Sequence, residues 1–182
     1  MEMIGVDQKI PEIEFDAFHE GQIRKMRLSD YRGKWLVLLF YPADFTFVCP
    51  TELEDAANHY AKFREAGAEV VSVSTDTAYV HKAWHGNSPA IGKIEFPMAA
   101  DPGGRISRAF GTYIEDEGLS RRATFIIDPD GEVKALEMHD NSIGRSSAEI
   151  LRKLQAAKYV REHNGQVCPA NWKPGDEAIK LK

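Results

Sequence analysis

The stretch Trp35-Leu36-Val37-Leu38-Leu39-Phe40-Tyr41-Pro42-Ala43-Asp44-Phe45-Thr46-Phe47-Val48-Cys49-Pro50 decides how this chain folds. Residues 35–41 form a continuous apolar run of strand length, the pattern of a strand buried on both faces. Pro50 suits the first turn of a helix, where a missing N–H costs little. Leu53, Ala56, Ala57, Tyr60 and Phe63 then recur at helical spacing and give one apolar stripe. A strand therefore runs into a helix, with Cys49 at or near the N-cap. The unpaired N–H groups and the positive end of the helix dipole favour an anion there. A thiolate at Cys49 is stabilised against the thiol, whose ordinary pKa is roughly 8.5. The alternative is a small buried hydrophobe, which free cysteines often are.

Working outward, Gly67 supplies a helix stop and residues 69–74 a second buried strand, so strand, helix and strand make a right-handed parallel unit. Cys49 lies at the carboxyl end of its strand, where open α/β sheets place their ligands. Upstream, residues 12–15 and 22–26 alternate around the break at His19-Glu20-Gly21, which predicts a small hairpin covering an end of the sheet. Residues 28–34 are a turn. Downstream, residues 77–86 read as a helix capped by Thr75, Asp76 or Thr77. His81 and His85 lie four apart on it, but no third metal ligand stands nearby, so both are expected to face solvent or a partner. Trp84 is expected to pack. Residues 96–101 are a short strand, Pro102-Gly103-Gly104 a turn and residues 105–110 a short helix. Asp128-Pro129-Asp130-Gly131 joins residues 123–127 to 132–138 as a hairpin whose second strand alternates like an exposed edge. Ser146 to His163 is the last helix, with Ser146 or Ser147 as cap and Ile150, Leu151, Leu154, Ala157 and Val160 as its apolar face. The segment from Gly165 onward is broken by Pro and Gly and is not expected to pack, yet it carries Cys168.

A chain of 182 residues, 43% hydrophobic and 28% charged, fits one globular domain with a full core. A net charge of −5 with no basic cluster argues against nucleic acid or an anionic membrane as partner. The start Met1-Glu2-Met3-Ile4-Gly5 has neither the basic residues nor the apolar core of a signal peptide, and no run reaches the length of a membrane span, so a soluble cytoplasmic protein is expected. Two cysteines without a C-x-x-C pair supply neither a disulfide scaffold nor a structural zinc site. In a reducing compartment a disulfide between them would be transient and catalytic.

Pro42, Thr46, Cys49 and Pro50 form the pattern P-x-x-x-T-x-x-C-P, which residue frequencies make rarer by chance than about one chain in a thousand. This stretch resembles the active-site loop of the peroxiredoxins. From about Ile4 to Ile179 the chain is similar to the typical two-cysteine class, of the bacterial alkyl hydroperoxide reductase type. Strand–helix–strand, hairpin and final helix then correspond to a thioredoxin-like α/β fold, a central mixed sheet flanked by helices, with an N-terminal hairpin extension. Residues 1–163 would form the peroxidase domain and 164–182 a C-terminal tail.

The resemblance implies reduction of hydrogen peroxide and alkyl hydroperoxides without metal or organic cofactor. Cys49 would become a sulfenic acid, and Cys168 of a partner subunit would resolve it into an intersubunit disulfide after local unfolding of the active-site turn and the tail. In-line displacement on oxygen needs donors and a fixed cation. Thr46 can turn its hydroxyl toward sulfur or peroxide, while Pro42 offers shape and shelter. Arg122, directly before Ala-Thr-Phe, is the catalytic arginine by resemblance. Its neighbour Arg121 is the alternative, since adjacent strand residues point to opposite faces. Glu52 and Arg145 would orient Arg122. The implied partners are a dithiol reductant, either thioredoxin or the flavoprotein component of alkyl hydroperoxide reductase, and further copies of the chain, as a homodimer paired through the 132–138 edge and gathered into a decamer. Residues 88–93 carry no Gly-Gly-Leu-Gly insertion and Leu181-Lys182 no Tyr-Phe helix, so resistance to overoxidation is expected. Competing readings are a disulfide reductase, which lacks its paired thiol, a ring-forming chaperone or peroxide sensor, and a cysteine hydrolase, for which no histidine has a sequence reason to meet Cys49.

Overall fold

The structure, a computed structural model, describes residues 4–181. The start Met1-Glu2-Met3, part of the segment in which no signal peptide is expected, and the terminal Lys182 lie outside them. In chain order the elements are β1 (Glu14–His19), β2 (Gln22–Arg27), β3 (Trp35–Phe40), α1 (Cys49–Glu65), β4 (Ala68–Ser74), α2 (Ala78–Asn87), β5 (Met98–Ala100), α3 (Arg105–Ala109), β6 (Tyr113–Ile114), β7 (Leu119–Ser120), β8 (Arg122–Ile127), β9 (Val133–His139), α4 (Ser147–Glu162), β10 (Gln166–Val167) and β11 (Ile179–Lys180). Short 3-10 helices occupy Leu28–Tyr31 and Ile91–Lys93. No helix among the described residues is long and apolar enough to cross a membrane.

Seven strands form one mixed sheet in the order β2-β1-β5-β4-β3-β8-β9. β3 lies in its interior, parallel to β4 and antiparallel to β8. Every residue of β3 is buried, and the strand's alternation divides the core in two. Trp35, Val37 and Leu39 pack with α1 and α4 through Leu53, Phe63, Ile150 and Leu154. Leu36, Leu38 and Phe40 pack on the opposite face with Leu28, Ile106, Phe110 and Phe125. α1 and α4 on one face, and α3 with an irregular N-terminal layer on the other, enclose a thioredoxin-like sheet.

Three expectations need correction. The N-terminal hairpin does not cover an end of the sheet but extends it, because β1 pairs with β5 at Ala17–Ala99 and Phe18–Met98. Val160 is 41% exposed rather than part of the apolar face of α4, which turns inward through Ile150, Leu151 and Leu154. The tail does pack: β10 and β11 form a two-stranded ribbon. Trp172 is only 3% exposed, against Tyr159 of α4 with ring centroids 4.8 Å apart. Arg152 of α4 donates to the Trp172 carbonyl at 2.8 Å, and the indole N–H donates to the Asp176 carbonyl at 3.1 Å. The β6–β7 hairpin has no forerunner in the sequence reading.

Candidate active site

The helix α1 begins at Cys49 itself, preceded by Val48 in helical conformation with no side-chain cap, so the N-terminal N–H groups are left without a capping side chain. Cys49 is fully buried. Glu52, three residues on, shares its face of the helix. β8 starts beside them. Its alternation sends Arg122, Thr124 and Ile126 toward the α1 side and Ala123, Phe125 and Ile127 to the other. Arg121 is exposed and Arg122 buried.

Arg122 Nη1 lies 3.3 Å from Cys49 Sγ and donates to Glu52 Oε2 at 2.7 Å. Its Nε donates to the Asn141 carbonyl at 2.8 Å, and its backbone N–H to Asn141 Oδ1 at 3.2 Å. Glu52 also accepts from Arg145, through the backbone N–H and Nε at 2.8 Å each and Nη2 at 3.0 Å. Arg145 Nη1 in turn reaches the Ala123 carbonyl at 2.7 Å and Thr124 Oγ1 at 3.2 Å. The three charged side chains are 3–6% exposed. Burial pushes the Glu52 carboxyl up, but the hydrogen bonds and charge of Arg145, with Arg122 behind, hold it below the usual carboxylate range. Burial likewise opposes the Arg122 charge, yet its bonds to Cys49 and Glu52 hold its pKa above the ordinary value. Two guanidiniums against one carboxylate leave a positive charge that a Cys49 thiolate balances.

Pro42 is buried at the start of the loop between β3 and α1, and Thr46 is exposed in it. The Thr46 hydroxyl donates to the Ala43 carbonyl at 2.9 Å and so points into its own loop instead of giving its hydrogen to the sulfur. The turn at Phe45, whose φ is 54°, brings that carbonyl within reach. The oxygen lone pairs of Thr46 stay available as acceptors.

The sequence reading missed Asn141 and a buried cluster beneath the loop. His81 is fully enclosed, not turned to solvent or a partner. Its Nδ1 lies 2.7 Å from Asp44 Oδ2 and its Nε2 3.1 Å from the Ala99 carbonyl. Tyr41 donates its hydroxyl to Asp44 Oδ1 at 2.7 Å. The signal was present: Ala78, His81 and Trp84 recur at three-residue spacing and form the buried face of α2. His85 is part-buried, tilted against Phe18 with ring centroids 5.0 Å apart and with Nε2 3.1 Å from the Ile94 carbonyl. Among the described residues no group of three His, Cys, Asp or Glu side chains is placed to hold a metal ion.

Cys168 stands apart from this site. Both cysteines are free thiols, and Cys168 Sγ lies 3.7 Å from the Ala156 carbonyl on α4. Burial pushes its thiol pKa up, with Arg152 pulling the other way. A cavity of about 730 Å³ is lined by Cys168, Arg152, Lys153, Ala156 and Val160, and by none of the groups around Cys49. Convergence of sulfur, cation and carboxylate, not cavity volume, marks the chemical site.

Residues 6–136 match the model of the AhpC/TSA family, and residues 156–181 that of the C-terminal domain of 1-Cys peroxiredoxin. Alkyl hydroperoxide reductase C of Pseudomonas aeruginosa is 48% identical over 174 residues, covering 96% of this chain and 93% of that one. The protein of the same name from Amphibacillus xylanus is 49% identical over 181 residues, covering 99% and 95%. The crystal structure of Enterococcus faecalis AhpC superposes with a TM-score of 0.89 at 48% identity, over 92% of this chain and 100% of that chain. The reduced 2-Cys peroxiredoxin of Plasmodium vivax does so with a TM-score of 0.90 at 34% identity, over 95% and 91%. Sequence, fold and a buried cysteine beside an arginine agree, and the chain belongs to the AhpC/TSA family of peroxiredoxins.

Proposed function

We propose that this protein is a thiol-dependent peroxidase that reduces hydrogen peroxide and alkyl hydroperoxides in the cytoplasm. The observation that carries the reading is the enclosed Cys49 sulfur 3.3 Å from a buried guanidinium. The Cys49 thiolate attacks the terminal oxygen of the hydroperoxide. An S–O bond forms as the O–O bond breaks, the sulfur gives up two electrons, and the departing alkoxide or hydroxide takes a proton to leave as alcohol or water. Nε and Nη1 of Arg122 are committed to Asn141, Cys49 and Glu52, so the Nη2 hydrogens stabilise charge on the departing oxygen. The Thr46 hydroxyl oxygen accepts from the peroxide O–H, and Pro42 keeps water from the sulfur. Glu52 and Arg145 position Arg122.

The sulfenic acid then condenses with the Cys168 thiol of a second chain, giving an intersubunit disulfide and water. A dithiol protein, thioredoxin or the flavoprotein component of alkyl hydroperoxide reductase, restores two thiols. The backbone edge of β9 beyond Val133, where the Asp7–Gln8 segment stops covering it, supports a homodimer, itself gathered into a decameric ring. Peroxide consumption with each reductant tests this directly. Wild type is expected to turn over and Cys49→Ser to be inert, and equal rates would overturn the proposal. On a non-reducing gel, peroxide should convert wild type into covalent dimers and leave Cys168→Ser monomeric.

A further inference from the structure

The loop from Pro42 to Val48, which carries the groups that shelter the sulfur, is held by very little of its own backbone. Among the described residues, its close backbone donation between Pro42 and Val48 is from Asp44 to Asp76 Oδ2 at 2.7 Å, beside the turn over Asp44 and Phe45. Phe45 next to it has a φ of 54°, a left-handed conformation costly for an aromatic residue. Phe45 and Phe47 are 59% and 94% exposed. Neither strain nor exposed apolar surface favours the closed loop.

Besides the Phe45 ring, tilted against Trp84 with centroids 5.8 Å apart, what holds it is the Asp44 side chain, which is completely buried together with His81. One oxygen accepts from Tyr41, at the end of β3, and the other faces His81 Nδ1 on α2, both at 2.7 Å. The far nitrogen of His81 reaches the Ala99 carbonyl on β5 at 3.1 Å. A carbonyl only accepts, so Nε2 carries a hydrogen, and the Asp44–His81 contact shares one proton more. The single hydroxyl hydrogen of Ser74 on β4 lies between the two carboxylates, 3.1 Å from Asp76 and 3.4 Å from Asp44. One carboxylate thus fastens the loop to β3, β4, α2 and, through His81, β5, two residues from both Pro42 and Thr46. A dry pair of this kind holds a defined geometry because an unpaired partner in the same place costs far more than in water.

We propose that Asp44 and His81 are positioning residues whose buried pair latches the 42–48 loop closed over Cys49. The closed loop presents Pro42 and Thr46 to the peroxide, whereas capture of the sulfenic acid by Cys168 requires the loop to open. The strength of the latch therefore divides Cys49 between peroxide attack and disulfide formation. This second half rests on the peroxidase reading above, while the latch itself does not.

Hydrogen exchange of the reduced protein, without peroxide, tests the latch alone. His81→Gln should speed exchange of the Asp44 amide by about ten- to a hundredfold, the factor that losing a charged buried hydrogen bond carries, with amides of β3 and β4 unchanged. In single turnover the same variant should form the Cys49–Cys168 disulfide about tenfold faster or more, with less sulfinic acid at a given peroxide concentration and no faster first oxidation. General destabilisation would open the loop too, but it would raise exchange across β3 and β4 as well. Unchanged exchange at Asp44, or an equal rise across the sheet, would overturn the latch, and faster exchange without faster disulfide formation, in a protein that consumes peroxide, would overturn its role in dividing Cys49. Should His81→Gln not fold, Tyr41→Phe removes one bond to Asp44 and should speed its exchange severalfold. No change there would overturn the latch equally. If wild type leaves peroxide untouched, only the peroxidase reading fails, since the exchange result stands without turnover.

Discussion

Arg122 serves two acceptors with one nitrogen, and that sharing makes the sulfur and the Glu52 carboxylate parts of a single charge cluster. Arg122→Gln keeps a donor but removes the cation. It should lower kcat/KM for hydrogen peroxide by about 10²- to 10³-fold in rapid-mixing assays and slow alkylation of Cys49 at neutral pH. Glu52→Gln leaves two buried guanidiniums without their counter-charge and should lower stability near neutral pH by about 3–5 kcal/mol in urea titrations. Since folding lowers the Glu52 pKa, its contribution is complete above the unfolded value of about 4.3 and is lost as pH falls through the folded value. The gap between wild type and Glu52→Gln should accordingly narrow on acidification below about pH 4. Cys49 was legible from a local rule, the helix start, whereas alternation said only that one of Arg121 and Arg122 faces inward, and the roles of Arg122 and Glu52 came from the resemblance. Asp44 and His81 were not legible, because their pairing spans 37 positions and no local pattern brings a loop aspartate to the inner face of α2.

Among the elements, the β8–β9 hairpin was read with boundaries near those observed, because Asp128-Pro129-Asp130-Gly131 fixes its turn chemically; the Asp128 side chain accepts from the Asp130 and Glu132 amides at 2.9 and 3.0 Å. The start of α4 was equally readable: Ser146 accepts from the Glu149 amide. A second cap was not, since Asp55 of α1 accepts from the Ser147 amide at 2.8 Å across the fold. The tail misled for a related reason. Trp172 is an isolated apolar residue in a polar stretch, so periodicity says nothing of it, and its burial depends on Tyr159 and Arg152 in another element. Trp172→Ala should free residues 166–181 to limited proteolysis at least tenfold faster while leaving the thermal midpoint of the remaining domain within about 2 °C.

Across the whole molecule, the sheet separates two cores, and the one without α1 is dominated by Phe40, Phe110 and Phe125, with ring centroids 5.0–5.6 Å apart. Phe125→Ala should cost about 3–5 kcal/mol, read from the denaturation midpoint. The parallel β3–α1–β4 unit could be foreseen from apolar runs and helix signals. The place of the β1–β2 hairpin could not, because its docking depends on two residue pairs with the three-residue β5, too short to announce a neighbour. The same long-range construction has a consequence for biosynthesis. Glu52 meets Arg145 across 93 positions of chain, and Cys49 meets Arg122 across 73. At translation speeds of about 5–20 residues per second, the thiol leaves the ribosome roughly five to twenty seconds ahead of the last basic residue that completes its surroundings. A nascent chain therefore carries an ordinary cysteine through the period when it is least protected, and acquires its appetite for oxidants only once the polypeptide has closed around it.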